Sequence, residues 1–229
     1  MSTIAENIIK IENIINETAL KCGRDPEAIS LLAVSKTKPM SLLLEAYEAG
    51  MRLFGENRVL EAVEKRKELP EDAEIHLIGH LQSNKVKQSV GNFSSIQSID
   101  SLKLAKKIDN YAAELNIIQE ILIEVKTSNE EAKSGFENDD VFFAALKEIM
   151  NLKNIKLKGL MTIAPFTDDE EIIRGSFRKC RELFEKSIEM YPDANLSILS
   201  MGMSGDFQIA IEEGATLVRV GSAIFGSRF

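Results

Sequence analysis

Eight short apolar runs, each separated from the next by a longer amphipathic stretch, constrain this chain more than any other feature. The runs fall at 31–36, 52–57, 74–79, 95–99, 120–127, 157–164, 196–201 and 217–221. Most are rich in Ile, Leu and Val and bounded by polar residues or Gly, as strands buried on both faces of a parallel sheet tend to be. Helical spacing fills the intervals at 40–49, 59–68, 84–90, 102–115, 139–150, 169–190 and 206–213. A further helix is expected over 3–21, where Ile4, Ile8, Ile11 and Ile15 recur at threes and fours. Eight βα units in 229 residues predict an α/β fold of the (β/α)8 TIM-barrel type with an extra N-terminal helix. An open doubly wound sheet would carry a Gly-rich fingerprint after its first strand, and Ser35-Lys36-Thr37-Lys38 is nothing like one. No Pro-, Gly- or Ser-rich linker divides the chain, and the charged stretch 130–138 reads as a loop. A single domain over 1–229 is the expectation.

Composition narrows the functional classes. Hydrophobic residues make up 44% of the chain, but aromatics only 6% with no Trp, so the core must be mainly aliphatic. A net charge of −8 argues against general binding to nucleic acid or anionic membranes, which usually needs a basic surface. Cys22 and Cys180 lie far apart, the only histidines are His76 and His80, and no zinc-ligand spacing joins them. No metal site is expected. Cys180 stands among Arg178, Lys179 and Arg181, which would lower its pKa, but an inert thiol is the reading preferred here. The N-terminus lacks the apolar core of a signal peptide and no run reaches membrane-span length, so a cytoplasmic location is expected.

Chemistry in such barrels sits at the C-terminal ends of the strands. Here those ends carry Lys36, Glu56-Asn57, His80, Met161-Thr162, Ser200-Met201 and Arg219 to Ser222. Lys36 closes the first run and has two readings: a cation that snorkels into solvent, or an amine that forms a Schiff base with a carbonyl. Met201-Gly202-Met203-Ser204-Gly205-Asp206 joins the seventh strand to a helix, and Gly221-Ser222 follows the eighth. Loops at those two places often build a phosphate site, so Ser204 reads as a phosphate donor rather than only a helix cap. Arg219 alternates with Val218 and Val220, facing either outward to a helix or inward across the barrel mouth from Lys36. Asn57 offers both a donor and an acceptor to a ring substituent. Glu56 either neutralises a lysine or caps a helix, and His80 is assigned to the loop rather than to proton transfer. His76, inside a strand, is packed or outward.

These segments resemble the pyridoxal phosphate homeostasis family, the YggS/PROSC-like proteins. The resemblance runs over essentially the whole chain, through Ala33-Val34-Ser35-Lys36-Thr37-Lys38-Pro39, Phe54-Gly55-Glu56-Asn57, Ile75 to Lys85, Gly159-Leu160-Met161-Thr162-Ile163, Leu199 to Phe207 and Val218 to Gly226. It implies a barrel related to the N-terminal domain of alanine racemase, with pyridoxal 5′-phosphate (PLP) held as a Schiff base on Lys36. It also implies phosphate contacts from Ser204, Gly221 and Ser222, Arg219 beside the pyridine nitrogen, Asn57 near the ring and Met201 as a packing neighbour. Three positions depart from the family's habit: Ile75 where an aromatic is common, Arg58 where Tyr is common, and Ser222 where Thr is common.

A PLP site alone does not make an enzyme. Racemisation in this fold type uses a lysine and a tyrosine on opposite faces of the substrate, the related racemases taking the tyrosine from an additional β domain of a partner subunit. Tyr47, Tyr111 and Tyr191 fall in helices or at their ends, and the chain stops at Phe229, just after the eighth strand. An Arg beside the pyridine nitrogen also keeps that nitrogen unprotonated, which weakens the ring as an electron sink. The expectation is a non-catalytic, monomeric PLP carrier that stores, buffers or delivers the cofactor, with transient apo-enzyme partners. Lys38 and Lys133 are candidates for transient PLP acceptance, although solvated lysines are the preferred reading. A slow amino-acid racemase and a cofactor-free Schiff-base aldolase acting on a phosphosugar are the alternatives.

Overall fold

The structure, a computed structural model, describes residues 3–128 and 134–226. Eight parallel strands close into a barrel in the order in which they occur along the chain: β1 (Ser30–Val34), β2 (Leu53–Glu56), β3 (Glu74–Leu77), β4 (Ser95–Ile99), β5 (Gln119–Glu124), β6 (Ile155–Met161), β7 (Ile198–Ser200) and β8 (Leu217–Val220). Closure is made by β1 against β8, with Leu32 in register with Arg219. The (β/α)8 expectation holds.

Helices α1 (Ile4–Lys21), α2 (Met40–Glu48), α3 (Val59–Arg66), α4 (Val86–Ser89), α5 (Leu102–Glu114), α6 (Asp139–Ile149), α7 (Glu170–Met190), α8 (Phe207–Glu212) and α9 (Ser222–Phe225) surround the strands. The extra helix α1 starts in a capping box, Thr3 accepting from the Glu6 N–H and Glu6 from the Thr3 N–H. It buries Ile4, Ile8, Ile11, Ile15 and Ala19 and packs on α2, α8 and α9, so it covers the seam where the barrel closes. The Asn7 amide donates to the Ile224 carbonyl at 2.9 Å and fastens α1 to α9, a short helix that periodicity did not foresee.

Most strands are shorter than their apolar runs because the residues past each C-terminal end leave the ladder to form the mouth. Lys36 is one of them: β1 stops at Val34, and Lys36 lies in the turn that follows. The strands also bring a polar chain together inside the barrel. An Arg219 Nη1–H donates to Ser200 Oγ at 2.7 Å, and Ser200 donates to Gln97 Oε1 at 2.7 Å. Gln97 Nε2 lies 2.9 Å from His76 Nδ1. This chain crosses from β8 and β7 to β4 and β3, which places all four side chains within the barrel. His76 is therefore packed, one of its two expected placements.

Between β5 and β6 the register shifts by one residue near Gly159. Gly159 has φ +155°, and a Cβ there would lie 1.8 Å from the Ile198 carbonyl oxygen on β7. Backbone rather than a flexible side chain occupies that space. Gly159→Ala is therefore expected to destabilise the protein by about 2 kcal/mol, read as a lower urea midpoint at unchanged m-value; an unchanged midpoint would mean that the two strands separate freely.

Candidate functional site

Strand alternation sends Ser35 outward and Lys36 inward at the end of β1. Outside the barrel, Ser35 Oγ donates to Glu56 Oε1 at 2.6 Å, and Lys65 of α3 donates to the Ser35 carbonyl at 2.9 Å and to Glu56 Oε1 at 2.7 Å. Lys65 also reaches Glu61 Oε1 at 2.7 Å, and that same oxygen accepts from the Thr37 N–H at 2.7 Å. Residues on both sides of Lys36 are thus held by one ionic cluster. Thr37 needs the restraint: its φ of +63° is unfavourable for a β-branched residue. Glu56 takes the lysine-neutralising role, not the capping one.

Glu56 is fully buried, and its Oε2 has no hydrogen-bond partner among the described residues. Burial raises its pKa, only partly offset by the hydrogen bonds from Lys65 and Ser35. At the more exposed Glu61 burial acts in the same sense, but the bonds from Lys65 and Thr37 outweigh it and hold the carboxyl low. Lys38 is engaged as well, its Nζ donating to the Phe225 and Gly226 carbonyls at 3.0 and 3.1 Å and pinning the chain after β8 to the Lys36 turn. Lys133 lies outside the described residues.

Inside the mouth a cavity of about 440 Å³ is walled by Lys36, Lys38, Asn57, Ser204, Arg219, Gly221 and Ser222, together with Val34, Ile78, Ile163, Phe166 and Met203. Six of the seven anticipated site residues meet there. The seventh, Met201, is fully buried in the core rather than on the cavity wall, and Met203 stands at the wall instead. Ser204 does not cap α8, whose N-cap is Asp206; its Oγ accepts from the Gly221 N–H at 3.2 Å and links the loops after β7 and β8. Gly202 makes that loop possible: it adopts φ +90°, where a Cβ would lie 2.5 Å from Ala210 Cβ, and its carbonyl accepts from the Arg219 N–H at 3.0 Å.

Arg219 faces inward and is buried, with an Nη2–H to the Thr162 carbonyl at 2.8 Å and Nη1 on Ser200. Burial pulls its pKa down to about 10, against Asp206, Glu124 and Cys180, so it remains a cation at neutral pH. Asn57 Oδ1 is buried without a hydrogen-bond partner among the described residues. Cys180 is fully buried, which pushes its thiol up to about 12 despite the basic residues beside it in sequence. It is inert.

The cavity volume is within the range of small-ligand sites, and its polar groups converge from β1, β2 and β8 and the loop after β7. Residues 15–229 match the family described as alanine racemase, N-terminal domain. The pyridoxal phosphate homeostasis protein of Aquifex aeolicus is 42% identical over 97% of this chain and 97% of its own length. The chain belongs to the pyridoxal phosphate homeostasis family. A structure of PipY from Synechococcus elongatus, solved with PLP bound, is 36% identical, covers 98% of this chain and 100% of that one, and superposes with a TM-score of 0.85. An alanine racemase from Clostridium difficile, 17% identical, covers 99% of this chain and 57% of that one with a TM-score of 0.78 and shares the fold alone. The homeostasis relatives are named for cofactor balance, not for an enzymatic reaction.

Some members of the site gave no clear signal in the sequence. Phe166 and Met203 are exposed apolar residues on loops. The Glu61–Lys65 pair has i,i+4 spacing and reads locally as a surface salt bridge; only the fold buries it. Glu124, the last residue of β5, falls within the apolar run 120–127 and carries no local signal of its own.

Two variants probe these carboxylates. Lys65→Met is expected to cost about 3 kcal/mol because it strands buried Glu56, and Lys65→Met with Glu56→Leu should recover most of the loss in chemical denaturation. Glu124 is raised from 4.5 to about 7 by burial first and by Asp100 second, with Arg219 opposing. A carboxyl raised in the folded state costs nothing below its unfolded pKa, and the cost grows until pH passes the folded one. Glu124→Gln should therefore stabilise the protein by up to about 3 kcal/mol at pH 8 and by nothing near pH 4; equal stabilisation at both pH values would contradict the assignment.

Proposed function

We propose that this chain is a PLP-binding protein of intracellular cofactor homeostasis, holding PLP as a Schiff base on Lys36 and storing, buffering or delivering it. The observation that carries the reading is that one cavity gathers Lys36 with Ser204, Arg219, Gly221 and Ser222, at the barrel end where phosphate loops form. A PLP-bound relative 36% identical over nearly the whole chain supports it. PLP supplies, when bound, an aldehyde carbon to which a lysine amine adds.

The chain's own groups then have distinct tasks. Ser204, Gly221 and Ser222 would hold the phosphate through hydroxyl and backbone N–H donors. Arg219 would donate toward the pyridine nitrogen and, as a cation at neutral pH, would keep that nitrogen unprotonated. Asn57 stands beside the ring with its unpartnered Oδ1, and Met201 packs behind the wall.

A carrier is favoured over a racemase because none of the three tyrosines lines the cavity. The Tyr47 hydroxyl, for example, is engaged by Asp72 at 2.5 Å on the exterior. No helix among the described residues is long and apolar enough to cross a membrane. The proposal includes a single-domain, cytoplasmic monomer whose macromolecular partners are transient apo-enzymes.

Borohydride reduction of the yellow protein followed by peptide mapping tests the site. The expected result is one PLP adduct on Lys36 that Lys36→Ala removes, together with the absorbance. An adduct retained at another lysine to the same extent would overturn the assignment to Lys36. A colourless protein that releases no PLP in alkali would restore the phosphosugar aldolase reading.

A further inference from the structure

A second cavity, of about 230 Å³, adjoins the first and shares Asn57, Ile78 and Ile163 with it. Its remaining wall is Gly79, His80, Glu124, Val125, Lys126 and Ser134. Glu124 dominates it electrostatically. This side chain belongs to a residue only 7% exposed, lines the cavity, and receives no hydrogen bond among the described residues. No structural task explains it: buried between Asp100 and an Arg219 already bonded to Ser200 and Thr162, its ionised form costs the fold stability. Buried acids that the fold does not use cluster at functional sites.

Among the described residues, the other charges around this cavity are paired. Lys126 is neutralised by Glu137, 2.5 Å away, and His80 lies 3.3 Å from Asp100. Arg219 has Asp206 as a further counter-charge. That leaves Glu124 as the wall carboxylate without a hydrogen bond among the described residues, which favours a cation. The two cavities meet along Asn57, Ile78 and Ile163.

We propose that the second cavity is a binding site for a small primary amine, whose ammonium rests on Glu124 and which displaces the cofactor from Lys36. The inference builds on the PLP reading above. Glu124 takes a proton from the ammonium, and the freed nitrogen attacks the carbon bound to Lys36 Nζ. A new carbon–nitrogen bond forms and the bond to Lys36 breaks. The Lys36 nitrogen departs with the proton shed by the incoming nitrogen, so the exchange needs neither oxidant nor reductant. A carboxylate on the incoming molecule is disfavoured by Glu124, which points to simple alkylamines over amino acids. The site gives the carrier a way to release its cofactor as the adduct of a small amine.

Two measurements separate this idea from the reading beneath it. Calorimetric titration of ethylammonium into cofactor-free protein at pH 8 should show saturable binding that weakens at least tenfold in Glu124→Gln. In the wild type, binding should strengthen from pH 6 to pH 8 as Glu124 ionises with its pKa of about 7. No saturable binding, or equal binding by the variant, would sink the proposal. With PLP-loaded protein, ethylamine should accelerate cofactor loss in a saturable manner. The ratio of stimulated to passive rate should fall at least tenfold in Glu124→Gln, alanine should be less effective, and triethylamine should do nothing. Loss that responds to an apo-enzyme but not to ethylamine would overturn the small-amine site in favour of a protein lysine. Protein that never loads PLP would condemn the carrier reading while leaving the calorimetric result to stand or fall alone.

Discussion

A guanidinium inside a closed barrel is the constraint on which the rest of this structure depends. Arg219 must keep its hydrogen bonds because an unpaired buried charge costs several kcal/mol. Satisfying it takes Ser200 from β7 and the Thr162 carbonyl just past β6, and the hydroxyl it binds passes the chain on to Gln97 and His76. The interior is consequently polar across its width, where barrels of this kind usually pack branched aliphatic side chains in layers. That polarity fixes Arg219 at the floor of the mouth, with β1 as its neighbour through the Leu32 register.

The same logic operates outside the barrel wall. The Lys65–Glu56–Glu61 cluster clamps Ser35 and Thr37, so Lys36 projects inward from a turn whose backbone is unfavourable on its own. A buried ion cluster of this type is weak evidence for stability but good evidence for positioning. Lys38 adds a second tie by holding the carbonyls that follow β8. The Lys36 turn and the loops after β7 and β8 are thus joined by hydrogen bonds rather than by apolar packing alone.

Glu124 is the exception to this economy of paired charges. Arg219, Lys65 and Lys126 each have acceptors or counter-charges within hydrogen-bond range, whereas the Glu124 carboxyl is buried against a like charge from Asp100 and is held near neutral pH. Such a cost at the edge of a cavity fits the amine site proposed above, in line with the trade between stability and function.

The sequence by itself determined the architecture and pointed to the barrel mouth as the candidate site. Hydrophobic periodicity is local, and eight βα repeats leave almost no topology but a barrel, whose strand ends then name Lys36, Asn57, Arg219 and the Gly/Ser loops. Strand limits were legible only approximately: periodicity does not reveal where a backbone leaves the ladder, so Lys36 was placed on a strand and lies in a turn. Tertiary structure alone decided which of two faces a polar residue takes and which distant residue meets it. Arg219 inward, Ser204 against Gly221, Met203 rather than Met201 at the wall, and Glu124 beside Asp100 all depend on closure of β8 onto β1 and on the register between strands. Those contacts join residues far apart in the chain, and no local pattern encodes the distance between them.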